Sequence, residues 1–353
     1  MAYSSIVKPS VYFNTKLYSG NGTNATGITG VGFQPDWVWI KERSSTSPHK
    51  LLDAVRGATK ELESSSTDAE ATESTSLQSF NSDGFTVGTN GAVNENSQTY
   101  ASWNWKANGT GSSNTDGSIT STVSANTTSG FSIVSWNGNS GTVGHGLGVK
   151  PAMIILKSRQ STTNWVVMHK GLGNMETNIL VLNTTTGADS GGSGMAEPTS
   201  SVFTMASGLS PNDNLIAYCF AEKQGYSKFG SYTGNGNNDG TFVYTGFKPA
   251  FVMIKRTSNT DNWYMKDNKR SGTAALQDFG QMNPNQTQHP SANNNSAENK
   301  ASAFATDILS NGFKLRGTDS GLNQSGESYI YMCFAEEPLV ANSGTDGVPA
   351  TAR

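Results

Sequence analysis

One pattern of residues occurs three times along this chain, in the same order each time, and that repetition constrains its folding more than any other feature. The first copy has Tyr18-Ser-Gly-Asn-Gly22 and then Gly32-Phe-Gln-Pro35-Asp-Trp-Val-Trp-Ile-Lys41. The second has Trp136-Asn-Gly-Asn and then Gly148-Val-Lys-Pro151-Ala-Met-Ile-Ile-Leu-Lys157. The third has Tyr232-Thr-Gly-Asn-Gly236 and then Gly246-Phe-Lys-Pro249-Ala-Phe-Val-Met-Ile-Lys255. The aromatic residue precedes the proline by 17, 15 and 17 positions. Each copy closes on an aromatic run: Thr99 to Ala107, Asn214 to Glu222, and Ser328 to Glu336. From proline to the last aromatic the spacing is 70, 69 and 85. The excess in the third copy matches a polar insert, Gln281 to Lys300. Self-similarity at such a period marks a repeat architecture.

Each copy reads as β. The run after each proline is short, apolar and rich in β-branched and aromatic residues, as a buried strand is. Its closing lysine is expected where the strand emerges into solvent. Proline suits the first position of a strand, where a missing N–H costs least. Tyr/Trp-x-Gly-Asn reads as a turn, because Gly and Asn tolerate positive φ. Helical signals are weak; the best candidate, Leu51 to Glu63, is interrupted by Gly57 and a serine run. The expected fold is all-β, with three tandem antiparallel β-sandwich or jelly-roll-like repeats. The expected boundaries are residues 1–107, a linker at 108–118, 119–225, 226–339 and a polar tail at 340–353. The joints at Lys106 to Ser118 and near Lys223 to Gly230 are Gly/Ser/Asn-rich, as linkers are.

Composition and charge exclude several classes. Charged residues are 14% of the chain, against roughly 25% in ordinary soluble domains, so a helical bundle or coiled coil is not expected. The formal net charge is −3 with no basic stripe, which argues against nucleic-acid binding. No apolar run approaches the ~18 residues of a membrane span, so no membrane insertion is expected. The opening MAYSSIVKPSVYF lacks the basic and apolar regions of a secretory signal. Cys219 and Cys333 are the only cysteines and fall at the same position of two copies, so both are expected as free thiols in strands.

Catalytic and metal chemistry finds little support, and no cofactor is expected. His49, His145, His169 and His289 are scattered, without the clustering that a metal site or catalytic triad needs. Asn235 to Gly240 resembles half a calcium loop, but Gly246 stands where the acidic twelfth ligand belongs, and a hairpin turn is the simpler reading. Glu61, Glu63, Asp68, Glu70 and Glu73 read as a solvated loop rather than a glycosidase pair. The tryptophan pairs Trp37/Trp39 and Trp103/Trp105 each share a strand face, and their counterparts Met253 and Phe334 suggest core. Trp165 and Trp263, each preceded by Asn near a loop end, are the candidates for receptor or glycan contact.

The opening landmarks, with Leu52-Asp-Ala-Val-Arg-Gly-Ala-Thr-Lys60, Ser82-Asp-Gly-Phe, Thr-Tyr-Ala-Ser-Trp-Asn-Trp-Lys-Ala and Val348-Pro-Ala-Thr-Ala-Arg353, resemble a repeat-protein family of marine tailed bacteriophages. The resemblance covers nearly the whole chain. It implies a virion structural protein, tail-fibre-like, with no catalytic residue to carry over. The expected location is the virion, after synthesis in the host cytoplasm. The expected partners are other tail or capsid proteins and a host cell-surface glycan or receptor. The expected assembly is a homo-oligomer, a trimer being the form that suits an appendage. Capsid-surface decoration is the alternative role, and polysaccharide depolymerase a minor one.

Overall fold

The computed structural model describes residues 4, 6–138, 140–190, 195–205, 212–270 and 305–340. The insert Gln281 to Lys300 and all but the first residue of the tail lie outside them. The described chain is nearly all antiparallel β. Its α-helices are single turns, Gly91–Asn94 and Ser320–Asn323. The stretch from Leu51 to Glu63 is not a helix. It continues the strand Lys50–Asp53, turns at Gly57 with φ 94°, and pairs again at Lys60–Glu61.

The same strand order occurs in three sheets. In the first segment it is Phe13–Ser19, Thr99–Trp105, Trp37–Glu42 and Lys50–Asp53. In the second it is Phe131–Asn137, Asn214–Phe220, Met153–Ser158 and Val166–His169, inside a seven-stranded sheet. In the third it is Ser227–Thr233, Ser328–Pro338, Phe247–Arg256 and Trp263–Asp267. In each, the opening strand pairs with the closing strand, which pairs with the post-proline strand. Register is equivalent: Trp37 opposes Trp105, Met153 opposes Phe220, and Phe251 opposes Phe334. These large cross-strand pairs hold the registers. The expected joints are structured in part. Ser112–Asn114 forms an edge strand on Ser121–Asn126, and Ser227 already belongs to the third sheet.

Strand alternation divides each sheet between two cores. Val38 and Ile40 pack in a local core with Phe85 and Val87 of a second, three-stranded layer: Thr26–Thr29, Gly84–Val87 and Leu77–Asn81. Val252 and Ile254 do the same beneath Phe242–Tyr244, Gly312–Leu315 and Thr306–Leu309. Ile154 and Leu156 share a core with Val143 and Phe203 of a two-stranded layer. The alternate residues of all three sheets meet in one shared cluster: Trp37 and Trp39, Met153 and Ile155, Phe251 and Met253. At its centre the equivalent closing-strand rings Trp105, Phe220 and Phe334 lie 6.5, 5.9 and 5.8 Å apart pairwise, between centroids. Both faces of each main sheet are therefore covered, so these strands read as continuous apolar runs and not as alternating ones.

Candidate functional site

The densest polar chemistry lies in the seams where the sheets meet. Asp53 ends the strand Lys50–Asp53, and one carboxylate oxygen accepts the backbone N–H groups of Val55 and Arg56 at 3.0 and 2.8 Å. That turn aims the Arg56 side chain back at the other oxygen, while Arg56 Nη2 donates to Leu51 O at 2.8 Å. Asp53 and Arg56 are fully buried as an ion pair. Across the seam, the Tyr218 hydroxyl of the second sheet donates to Asp53 at 2.8 Å. Burial pulls the Arg56 guanidinium down, but Asp53, Tyr218 and Glu70 more than reverse it, so Arg56 stays charged. Burial raises the Tyr218 hydroxyl well above its ordinary value.

The third segment repeats this device. Asp267 accepts from the backbone of Lys269 and Arg270 at 3.0 Å each and pairs with Arg270 Nε; Arg270 Nη2 reaches Met265 O. Here the donor from across the seam is Trp103 Nε1 of the first sheet, at 3.0 Å, with the guanidinium 5.3 Å from its ring centroid. Trp103, Tyr218 and Met332 occupy the same place in the three closing strands, two residues before the central aromatic ring.

The second segment changes all three members together. His169 stands where the others have Asp, and Leu172 where they have Arg. The third sheet's equivalent of Tyr218 and Trp103 is Met332, whose side chain has no N–H or O–H to give. His169 Nδ1 accepts from Gly171 N at 2.9 Å, which leaves Nε2–H to donate to Tyr331 O at 3.1 Å. Burial holds this imidazole down at about 3, so it is neutral.

Further out, the seam between the first and second segments and the seam between the second and third carry matching backbone bonds. Glu70 N donates to Arg159 O and Thr163 N to Thr67 O, at 2.8 and 3.0 Å. Ala188 N donates to Thr257 O and Asp261 N to Thr185 O, both at 2.8 Å. Beside them Lys157 Nζ donates to Thr67 O at 3.0 Å, and Lys255 Nζ to Thr185 O at 3.1 Å. Lys41, Lys157 and Lys255 were expected to emerge into solvent, and they do not: each is at most 1% exposed. Burial lowers Lys157 and Lys255 to about 8.

Trp165 and Trp263 belong to the same seams, which corrects their reading as surface contacts. They are 0% and 1% exposed. Their indoles donate across the seams, Trp165 to Glu63 O at 2.8 Å and Trp263 to Val181 O at 3.1 Å. They cannot meet a receptor while the fold is intact. The acidic stretch is not wholly solvated either. Glu61 is buried on Lys50, and Glu70 grips Arg159 through both oxygens at 2.8 and 2.9 Å. His49 accepts from Trp39 Nε1, and His145 from Leu147 N; His289 lies outside the described residues. Cys219 and Cys333 are buried free thiols. Among the described residues, no group of three or more His, Cys, Asp or Glu could hold a metal ion. No described helix is long and apolar enough to cross a membrane.

The outward features are turns and one strand face. Asn323, fully buried, donates to Asn235 Oδ1, Asn237 O and Gly317 O, which fixes the loop from Asn235 to Gly240. The oxygens of that loop already serve protein partners: Asn237 Oδ1 takes Asp239 N, and Asp239 pairs with Lys314 and Arg316. Asn94 locks the Asn21 turn in the same way. Next to the second loop, Phe242 and Tyr244 project from the edge strand Phe242–Tyr244, 42% and 49% exposed, with Val243 buried between them. Lys228 Nζ lies 5.8 Å from the Tyr244 ring centroid.

Sequence reasoning missed the seam motif, though Asp-x-x-Arg at 53–56 and 267–270 was a visible signal, and it missed the alternation at 242–244. Searches of curated proteins and of solved structures return no match. A family model does match, over residues 8–338, and the chain belongs to that family, described as "Domain of unknown function (DUF7483)".

Proposed function

We propose that this chain is a structural protein of a tailed-phage particle, tail-fibre-like, displayed for host attachment through a cell-surface glycan or protein. We further propose that it is built of three tandem copies of one two-layer, jelly-roll-like β-sandwich. The resemblance of the landmark motifs supports the phage assignment. The observation that carries the display role is the meeting of Trp105, Phe220 and Phe334 at one centre. A chain closed around such a core holds its three outer layers at fixed positions, and loops on a rigid scaffold suit recognition. Fold alone does not give function, so the test is direct. Gold-labelled antibody on intact particles should mark the tail, and particles lacking the protein should fail to adsorb. Label spread over the head would replace attachment by capsid decoration, and unlabelled particles would remove the virion assignment.

A further inference from the structure

We propose that the outer face of Phe242–Tyr244 is a contact site for an acidic glycan, with Tyr244 and Phe242 stacking on sugar rings and Lys228 meeting a carboxylate. This rests on the attachment reading and names its ligand class and place. Phe242 and Tyr244 are two of the four large apolar side chains that the described residues leave exposed. They point the same way from one edge strand, at a spacing that suits successive rings of a sugar chain. Aromatic faces of this kind bind the C–H faces of pyranoses, and a nearby cation adds charge selectivity.

The charge around the strand supports an anion. Lys314, opposite Phe242 in register, is matched by Asp239 at 2.6 Å, which also takes Arg316. Lys228 makes no ion pair among the described residues and lies over the Tyr244 ring. The first segment supplies an internal contrast. Its equivalent strand, Thr26–Thr29, pairs in the same register, Ile28 opposite Phe85 as Val243 is opposite Phe313. It carries Gly27 and Thr29 at the outward positions. The aromatic pair is therefore not required by the backbone. Two rings offer roughly 300–500 Å² at most, below the ~800 Å² per partner of a stable dimer. That favours a small ligand over a second copy.

The test uses the full chain, an alginate oligosaccharide as polyuronate and a dextran oligosaccharide as neutral control. Calorimetry should show alginate binding that weakens with added salt. Tyr244→Thr, the residue the first segment carries, should weaken it about tenfold. Lys228→Gln should reduce alginate to the level of dextran. Failure of the wild-type protein to bind alginate, or binding by both variants as tight as that of the wild type, overturns the proposal. So does a dimer in sedimentation that Phe242→Thr dissolves, because a second copy then occupies the face. Particles carrying Tyr244→Thr separate the two readings. If they adsorb normally while particles lacking the protein do not, this site is wrong and attachment stands. If particles lacking the protein also adsorb, attachment itself fails.

Discussion

Two of the three seams close on a buried carboxylate and guanidinium, and the third closes on a neutral imidazole. At the first, Asp53 and Arg56 take their outside donor from Tyr218. At the second, Asp267 and Arg270 take theirs from Trp103. At the third, His169 reaches a backbone carbonyl, Leu172 replaces the arginine, and Met332 needs to donate nothing. The lesson is that a buried charge is kept only where its whole set of partners is kept. A carboxylate out of water needs its cation and its hydrogen bonds together, and losing one partner costs more than losing all of them. The sets are thus interchangeable as wholes and not residue by residue.

The largest effect tests that rule. Arg56→Met should cost about 3–5 kcal/mol in denaturant unfolding, since Asp53 is then a buried, uncompensated carboxylate. Asp53→Leu with Arg56→Met should cost clearly less than Arg56→Met alone. A double variant as damaging as the single one would show that the pair is worth its full interaction energy and would break the comparison. His169→Asp should be almost as damaging, by about 3 kcal/mol or more, because neither Leu172 nor Met332 can serve a carboxylate. Adding Leu172→Arg and Met332→Tyr should recover most of that loss if the three members act as one set.

A smaller effect separates the seams by pH. His169 titrates near 6.5 when unfolded and near 3 when folded, because burial disfavours its cation. The unfolded chain therefore takes up a proton as pH falls through 6.5 while the native one does not. The stability present above that pH is lost progressively towards 3. His169→Gln cannot titrate, so its unfolding free energy should fall less steeply, with a relative gain of about 1 kcal/mol by about pH 5.5. Parallel pH profiles for the two proteins would show that His169 is not buried as described.

What the sequence reveals and what it hides divides along the same line. The post-proline strands, the Asn-Gly turns, the free cysteines and the core role of Trp37, Trp39, Trp103 and Trp105 were legible, because each depends on local pattern or on equivalence between copies. The destinations of Lys157, Trp165, Trp263 and Glu70 were not. A lysine ending a strand or a tryptophan after an asparagine normally reaches water. Here the neighbouring segment brings backbone carbonyls to meet them: Thr67 and Glu63 of the first segment, and Val181 on a strand of the second. Those partners lie 82 to 102 residues away in sequence, beyond any periodicity. Phe242 and Tyr244 were overlooked for the opposite reason: nothing in a three-residue strand says which face stays open.

The central claim is that the segments close around one core through matched seams. Its most direct measurement is a double-mutant cycle between Tyr218→Phe and Asp53→Asn, residues 165 positions apart. Direct contact across the seam predicts a coupling free energy of about 1–2 kcal/mol, within the 0.5–3 kcal/mol range for residues sharing a network. Additivity to within about 0.3 kcal/mol would mean that Tyr218 and Asp53 do not meet and that the seam does not close as described.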